Sequence, residues 1–223
     1  MRIKLLVLLA AAYMSAMAQK KSVSILGDSY STYEHYTTPA ENEQWYYEPW
    51  RDKRTDVNDV TQTWWYRLCK DKGLKLDTNN SYSGSTICFT GYGGEDYTAR
   101  SFISRAGNLG CPDIILVFGG TNDSWAGVPL GEMKYEGISR DELFNYRQAV
   151  CYLGKYLCTR YPNTDIYFIL NDGLKPEIGS AMREVCHKYG MTLIELENIS
   201  KTTGHPNIEG MKQIAEQVGE AIK

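Results

Sequence analysis

Long apolar runs are scarce in this chain of 223 residues, and the one near its start, Leu5 to Met14, is too short to cross a bilayer. Basic clusters are missing too. The 24 Lys and Arg are outnumbered by 27 Asp and Glu, for a net charge of −3, which argues against nucleic acid and anionic membranes as partners. Histidine is sparse: the 3 present, His35, His187 and His205, lie far apart. No CxxC or Cys/His spacing suits zinc, so no metal site is expected. There is no P-loop, and Gly91-Tyr92-Gly93-Gly94 breaks the G-x-G-x-x-G spacing and follows no apolar strand. No cofactor is expected. Internal repeats, low-complexity tracts and linkers are also lacking, and the length suits one domain with a sizeable core.

What the N-terminus does carry is an export pattern. Arg2 and Lys4 precede the short apolar run, and Ala16-Met17-Ala18 is an A-x-A cleavage signal. Residues 1–18 are therefore expected to be a signal peptide, with 19–223 the mature, exported domain. The residue directly after the cleavage point is Gln19 and not cysteine, so no lipid anchor is expected. Cys69, Cys88, Cys111, Cys151, Cys158 and Cys186 would permit disulfides in an exported protein. A domain of this size folds without them, and the expectation is free cysteines acting as small apolar residues.

Apolar runs alternate with helical patterns along the mature chain. Expected strands are 23–26, 74–77, 113–118, 165–170 and 192–195. Ile114-Ile115-Leu116-Val117-Phe118 and Ile166-Tyr167-Phe168-Ile169-Leu170 are continuously apolar, as strands buried on both faces of a parallel sheet are. Expected helices are 62–72, 98–108, 141–160, 176–189 and 208–222, with Gly190 as a C-terminal stop and Pro206 suited to a first turn. Strands separated by helices imply right-handed βαβ units, hence a three-layer α/β/α sandwich around a five-stranded parallel sheet. The stretch from about 36 to 62 reads as an insertion. Around it crowd Tyr33, Tyr36, Trp45, Tyr46, Tyr47, Trp50, Trp64, Trp65 and Tyr66.

Four short blocks carry the chemistry. Gly27-Asp28-Ser29 follows the first strand. Gly84 lies in Ser81-Tyr82-Ser83-Gly84-Ser85, Asn122 in Gly119-Gly120-Thr121-Asn122-Asp123, and His205 in Gly204-His205-Pro206. In an open parallel sheet, sites form at the carboxyl ends of strands, and all four blocks belong there. A serine hydroxyl needs a base to take its proton, and imidazole titrates in the right range. The Ser29 and Gly84 backbone N–H groups and the Asn122 amide could donate to the oxyanion of a tetrahedral intermediate. Asp28 and Asp123 could hold the loops in place. His35 and His187 read as structural.

In this order and placement the four blocks resemble the SGNH (GDSL-type) serine hydrolase superfamily over nearly the whole mature chain. The resemblance implies a flavodoxin-like fold, nucleophile Ser29, base His205 and oxyanion donors Ser29, Gly84 and Asn122. It implies an exported esterase acting through an acyl-serine on a small-molecule or glycan ester, with a short acyl group such as acetyl expected. A lysophospholipase or thioesterase, or a weakly active or non-catalytic glycan-binding relative, are the alternatives. One position departs from the pattern. The family places an aspartate three residues before the histidine, and here Thr202 stands there. A backbone carbonyl, or a carboxylate from Asp172, Glu195 or Glu197, would have to orient the imidazole.

Overall fold

Residues 20–48 and 54–222 are described in the computed structural model. The leader read at 1–18, together with Trp50 and the charged run Arg51, Asp52 and Lys53, lies outside them. The two continuous apolar runs form the middle of a parallel sheet. Its strands are β1 (Ser22–Gly27), β2 (Lys75–Ser81), β3 (Ile114–Phe118), β4 (Asp165–Leu170) and β5 (Thr192–Glu195), ordered β2-β1-β3-β4-β5. Every pairing in this sheet is parallel. All of β3 is buried, as a central strand covered on both faces requires.

Alternate residues of the strands feed two cores. Val23, Ile25, Ile114, Leu116 and Phe118 pack with Trp64, Leu68, Met211 and Ile214. The helices on that face are α1 (Trp64–Lys72) and α6 (Ile208–Ala221). Leu26, Ile115, Val117 and Phe168 pack with Val150, Leu153, Met182 and Val185. The helices there are α4 (Tyr146–Arg160) and α5 (Pro176–Tyr189). Each such fully buried aliphatic or aromatic side chain contributes about 1.5–3 kcal/mol relative to exposure. The outcome is the expected α/β/α sandwich, with the strand order of flavodoxin-like folds.

Local sequence sets the helix ends. Thr63 caps α1 by accepting from Tyr66 N–H. Pro176 opens α5, and Gly190 closes it in the left-handed conformation. Several boundaries differ from the sequence reading. The expected helix 98–108 is a 3-10 turn, Thr98–Arg100, and a short helix α2 (Phe102–Arg105), parted at Ser101, whose hydroxyl caps α2. The expected helix 141–160 breaks at Asn145, which is extended and separates a 3-10 turn, Asp141–Phe144, from α4. β2 runs on to Ser81 because its polar end is satisfied inside the protein: Asn79 donates to Ser31 O at 2.9 Å. Pro206 lies not in a helix but in a two-strand hairpin, β6 (Lys201–Thr202) with β7 (His205–Pro206), and Asn207 caps α6 instead. Helix α3 (Thr121–Ala126) follows Gly119-Gly120, where no helix is expected from the sequence. All six cysteines are unpaired. Among the described residues, no helix is long and apolar enough to cross a membrane.

Candidate active site

The strand order reverses direction between β1 and β3, and both chain turns at that point carry candidate residues. β1 ends at Gly27, and the next residues form a 3-10 turn, Ser29–Ser31. A Cβ on Gly27 would sit 2.5 Å from Ser81 Oγ and 2.7 Å from Ser31 Cβ, so a larger residue would push the turn away from β2. Asp28 caps the turn by accepting from Tyr30 N–H at 3.0 Å. Ser29 is thereby presented at the carboxyl edge of the sheet.

His205 meets it there. Its Nε2 lies 2.9 Å from Ser29 Oγ. Its Nδ1 lies 3.4 Å from the Thr203 carbonyl. A carbonyl only accepts, so the ring proton belongs on Nδ1 and Nε2 is left to accept from the Ser29 hydroxyl. The carboxylates weighed as orienters are engaged elsewhere. Asp172 accepts from Ile199 N–H at 2.9 Å and pairs with the Lys201 ammonium, so it braces the loop leading into the hairpin rather than the ring. Glu195 is paired with Arg183. Glu197 is exposed. Burial pushes the His205 pKa down to about 4; the cations Arg54 and Lys201 push the same way, and the Thr203 carbonyl opposes them.

The opposite wall is built from the Gly84 loop and α3. Gly84 has φ +76, and a Cβ there would meet nothing within 4 Å, so the loop opens onto free space at a residue only glycine suits. The Asn122 amide donates to Ser85 O at 3.0 Å and its carbonyl accepts from the Tyr92 hydroxyl at 2.8 Å. Those two bonds fix which way the amide faces and leave one N–H to give. The bonds that shape these turns do not use the Ser29 or Gly84 N–H among the described residues. Asp123 accepts from Ile87 N–H at 2.8 Å and from Cys88 N–H at 3.2 Å, fastening the Gly84 loop to α3. Burial raises Asp28 to about 7 and Asp123 to about 6, against the pull of their backbone N–H donors. Ser29 and His205 are thus brought together, and Asn122 is tied to the Gly84 loop through Ser85 O, with Asp28 capping the one turn and Asp123 fastening the other. His35 and His187 are exposed and take no part. Among the described residues, no His, Cys, Asp or Glu cluster could hold a metal ion.

One buried cation escaped the sequence reading. Arg105 is inside the protein, where its Nη2 donates to Gly27 O at 3.1 Å and Ser85 Oγ at 2.9 Å, and its Nη1 donates to Asn80 O. It therefore ties the ends of β1 and β2 to the loop of Gly84. Burial pulls its pKa down to about 9, and nearby Asp28 resists that shift, so it stays charged at neutral pH. The available signal was its place on the apolar i−3, i+4 face with Phe102 and Leu109. Arg105→Met, which strands these acceptors, is expected to cost about 3–5 kcal/mol and lower Tm by roughly 10 °C, read by thermal denaturation. A change of less than about 1 kcal/mol would refute the bracing role.

A serine–histidine pair at the switch point of a flavodoxin-like sheet defines the SGNH type of ester hydrolase. The chain belongs to the GDSL-like lipase/acylhydrolase family, whose model matches residues 21–222. A structure described as a GDSL-like lipase from Bacteroides ovatus is 52% identical, with TM-score 0.89, covering 91% of this chain and 98% of that one. Another so described, from Bacteroides uniformis, is 50% identical, with TM-score 0.90, covering 93% and 97%. An acetyl xylan esterase from the rumen bacterium Butyrivibrio proteoclasticus shares the fold, with TM-score 0.60 at 15% identity over 90% of this chain and 62% of that one. No curated protein matches the chain. Family and neighbours together make this an ester-hydrolysing enzyme.

Proposed function

We propose that the protein is an exported serine esterase that removes short acyl groups, acetyl foremost, from a carbohydrate. The observation that carries this reading is the 2.9 Å contact between His205 Nε2 and Ser29 Oγ, with the ring tautomer set for proton removal. Ser29 attacks the ester carbonyl as His205 takes its proton, and the oxyanion forms against the N–H groups of Ser29 and Gly84 and the Asn122 amide. The imidazolium then protonates the leaving alkoxide. Water, deprotonated in turn by His205, releases the acid and restores Ser29. The carbohydrate preference is supported by the rim. Trp125, 45% exposed, lies 5.8 Å from the His205 ring, and Tyr92, 36% exposed, bonds to Asn122; both are aromatic rings of the kind that stack on sugars. Similarity of fold to a carbohydrate esterase points the same way.

The test is labelling by a serine-directed fluorophosphonate together with release of acetate from acetylated xylan. One covalent adduct, on Ser29, with acetate release is the expected result. Folded protein that takes no label would overturn the serine mechanism, and labelled protein inert on acetylated glycans but active on long-chain esters would overturn the substrate class.

The reading also fixes a pH dependence. Only neutral His205 accepts the serine proton, so activity is complete above its pKa and is lost as pH falls through it. With that pKa pushed down to about 4, the acid limb of kcat/KM that belongs to His205 is expected around pH 4. A pH-stat profile with phenyl acetate measures this; an acid limb at the ordinary histidine value near 6.5 would contradict the desolvated geometry.

A further inference from the structure

We propose that Trp45 is a positioning residue for His205, holding by ring stacking the imidazole that the absent aspartate would otherwise orient. This rests on the esterase reading of the Ser29–His205 pair. The indole and imidazole rings lie 3.5 Å apart, centroid to centroid, and only 7° from parallel. Among the described residues, the ring's single hydrogen bond besides that to Ser29 is the long one to Thr203 O, which by itself restrains rotation weakly. Tyr30 supports the imidazole from another side at 5.2 Å, and Trp125 meets it edge-on at 5.8 Å.

The stack is also registered to the nucleophile. Trp45 N–H donates to Thr32 Oγ1 at 2.9 Å, and that hydroxyl donates to Ser29 O at 3.0 Å. The neighbouring Tyr46 hydroxyl donates to Pro206 O at 2.8 Å, and the Tyr30 hydroxyl to Gly204 O at 2.5 Å. The carbonyls on both sides of His205 are thus held by the same two segments that carry Ser29 and Trp45. The other face of Trp45 is covered by the Arg54 guanidinium at 4.3 Å, so it is not presented to a substrate ring. The buried Trp45 Nε1–H finds no acceptor among the described residues, so stacking rather than hydrogen bonding accounts for the indole's placement.

The groups facing His205 are Ser29, the phenols Tyr30 and Tyr46, the indoles Trp45 and Trp125, and the cations Arg54 and Lys201. Of these, Trp45 covers the ring face, so its loss hydrates the imidazole and frees its rotation. The experiment compares Trp45→Leu, which keeps apolar bulk without a planar face, with Trp45→Phe, which keeps the face. Steady-state kinetics on 4-nitrophenyl acetate accompany NMR titration of the His205 ring, assigned with His205→Ala.

Trp45→Leu is expected to lower kcat about 10- to 100-fold with KM little changed, as misplacement of a catalytic group does. Its His205 should titrate about one unit or more above the parent's. Trp45→Phe is expected to recover most of kcat. Leu and Phe variants of equal activity, a loss confined to KM, or an unmoved His205 titration would each overturn the proposal. Should Trp45→Leu fail to fold, Trp45→Phe against Trp45→Met gives the same contrast. The titration is read without substrate, so a parent protein lacking Ser29-dependent hydrolysis would sink the esterase reading while leaving the stacking test intact.

Discussion

Ser29→Ala and His205→Ala are each expected to reduce kcat on short-chain esters by on the order of 10⁴, and the double variant by no more than either alone. The reason is that the two side chains act as one unit across a 2.9 Å contact. Without the hydroxyl no acyl-enzyme forms, and without the imidazole the hydroxyl keeps its proton. Ser29→Ala removes one oxygen atom from a turn whose shape is set by Asp28, Tyr30 and Thr32, so the fold is expected to survive it. Steady-state rates, with mass spectrometry for a trapped acyl adduct, check this. Residual activity above about 1% in Ser29→Ala, or additive losses in the double variant, would exclude the covalent route.

Asn122→Ala is expected to lower kcat by about 10²–10³ with KM nearly unchanged. The amide is held by Ser85 O and the Tyr92 hydroxyl, which leaves one N–H free for the oxyanion of the proposed mechanism. A donor that needs no reorganisation stabilises the oxyanion more than the neutral ester, which is why the loss falls on kcat. Asn122→Asp should be at least as damaging, because it sets a carboxylate against the same charge. Tyr92→Phe, which leaves the amide in place but removes its anchor, serves as the milder comparison. A loss expressed mainly in KM would show that Asn122 binds ground-state substrate and is not an oxyanion donor.

Much of the scaffold was legible in the sequence because it follows from burial alone. Ile114–Phe118 and Ile166–Leu170 have no polar position to show to water, so they could only be strands covered on both faces. Boundaries were lost where polar residues are buried and satisfied internally. Thr78-Asn79-Asn80-Ser81 reads as loop, yet it extends β2 because Ser31 O and Arg105 complete its hydrogen bonds. Helix 98–108 was overestimated because periodicity does not register that the Ser101 hydroxyl starts a new cap.

For the site, the order of Ser29, Gly84, Asn122 and His205 and their places after strands were determined by the sequence itself. So were the glycines whose backbone the turns require, and the absence of an aspartate at position 202. Tertiary structure alone decided what stands in for it. A carbonyl two residues away, Thr203 O, and the indole of Trp45, whose neighbour Tyr46 bonds to Pro206 O 160 residues further along the chain, are brought to the imidazole only by the fold. The same holds for Arg105, which bridges three chain segments, and for the fate of Asp172, taken by Lys201. Nucleophile, base and donors are chemical types that a sequence displays directly. Orientation depends on which surfaces meet once two hydrophobic cores have closed on the sheet, and no local pattern encodes that meeting.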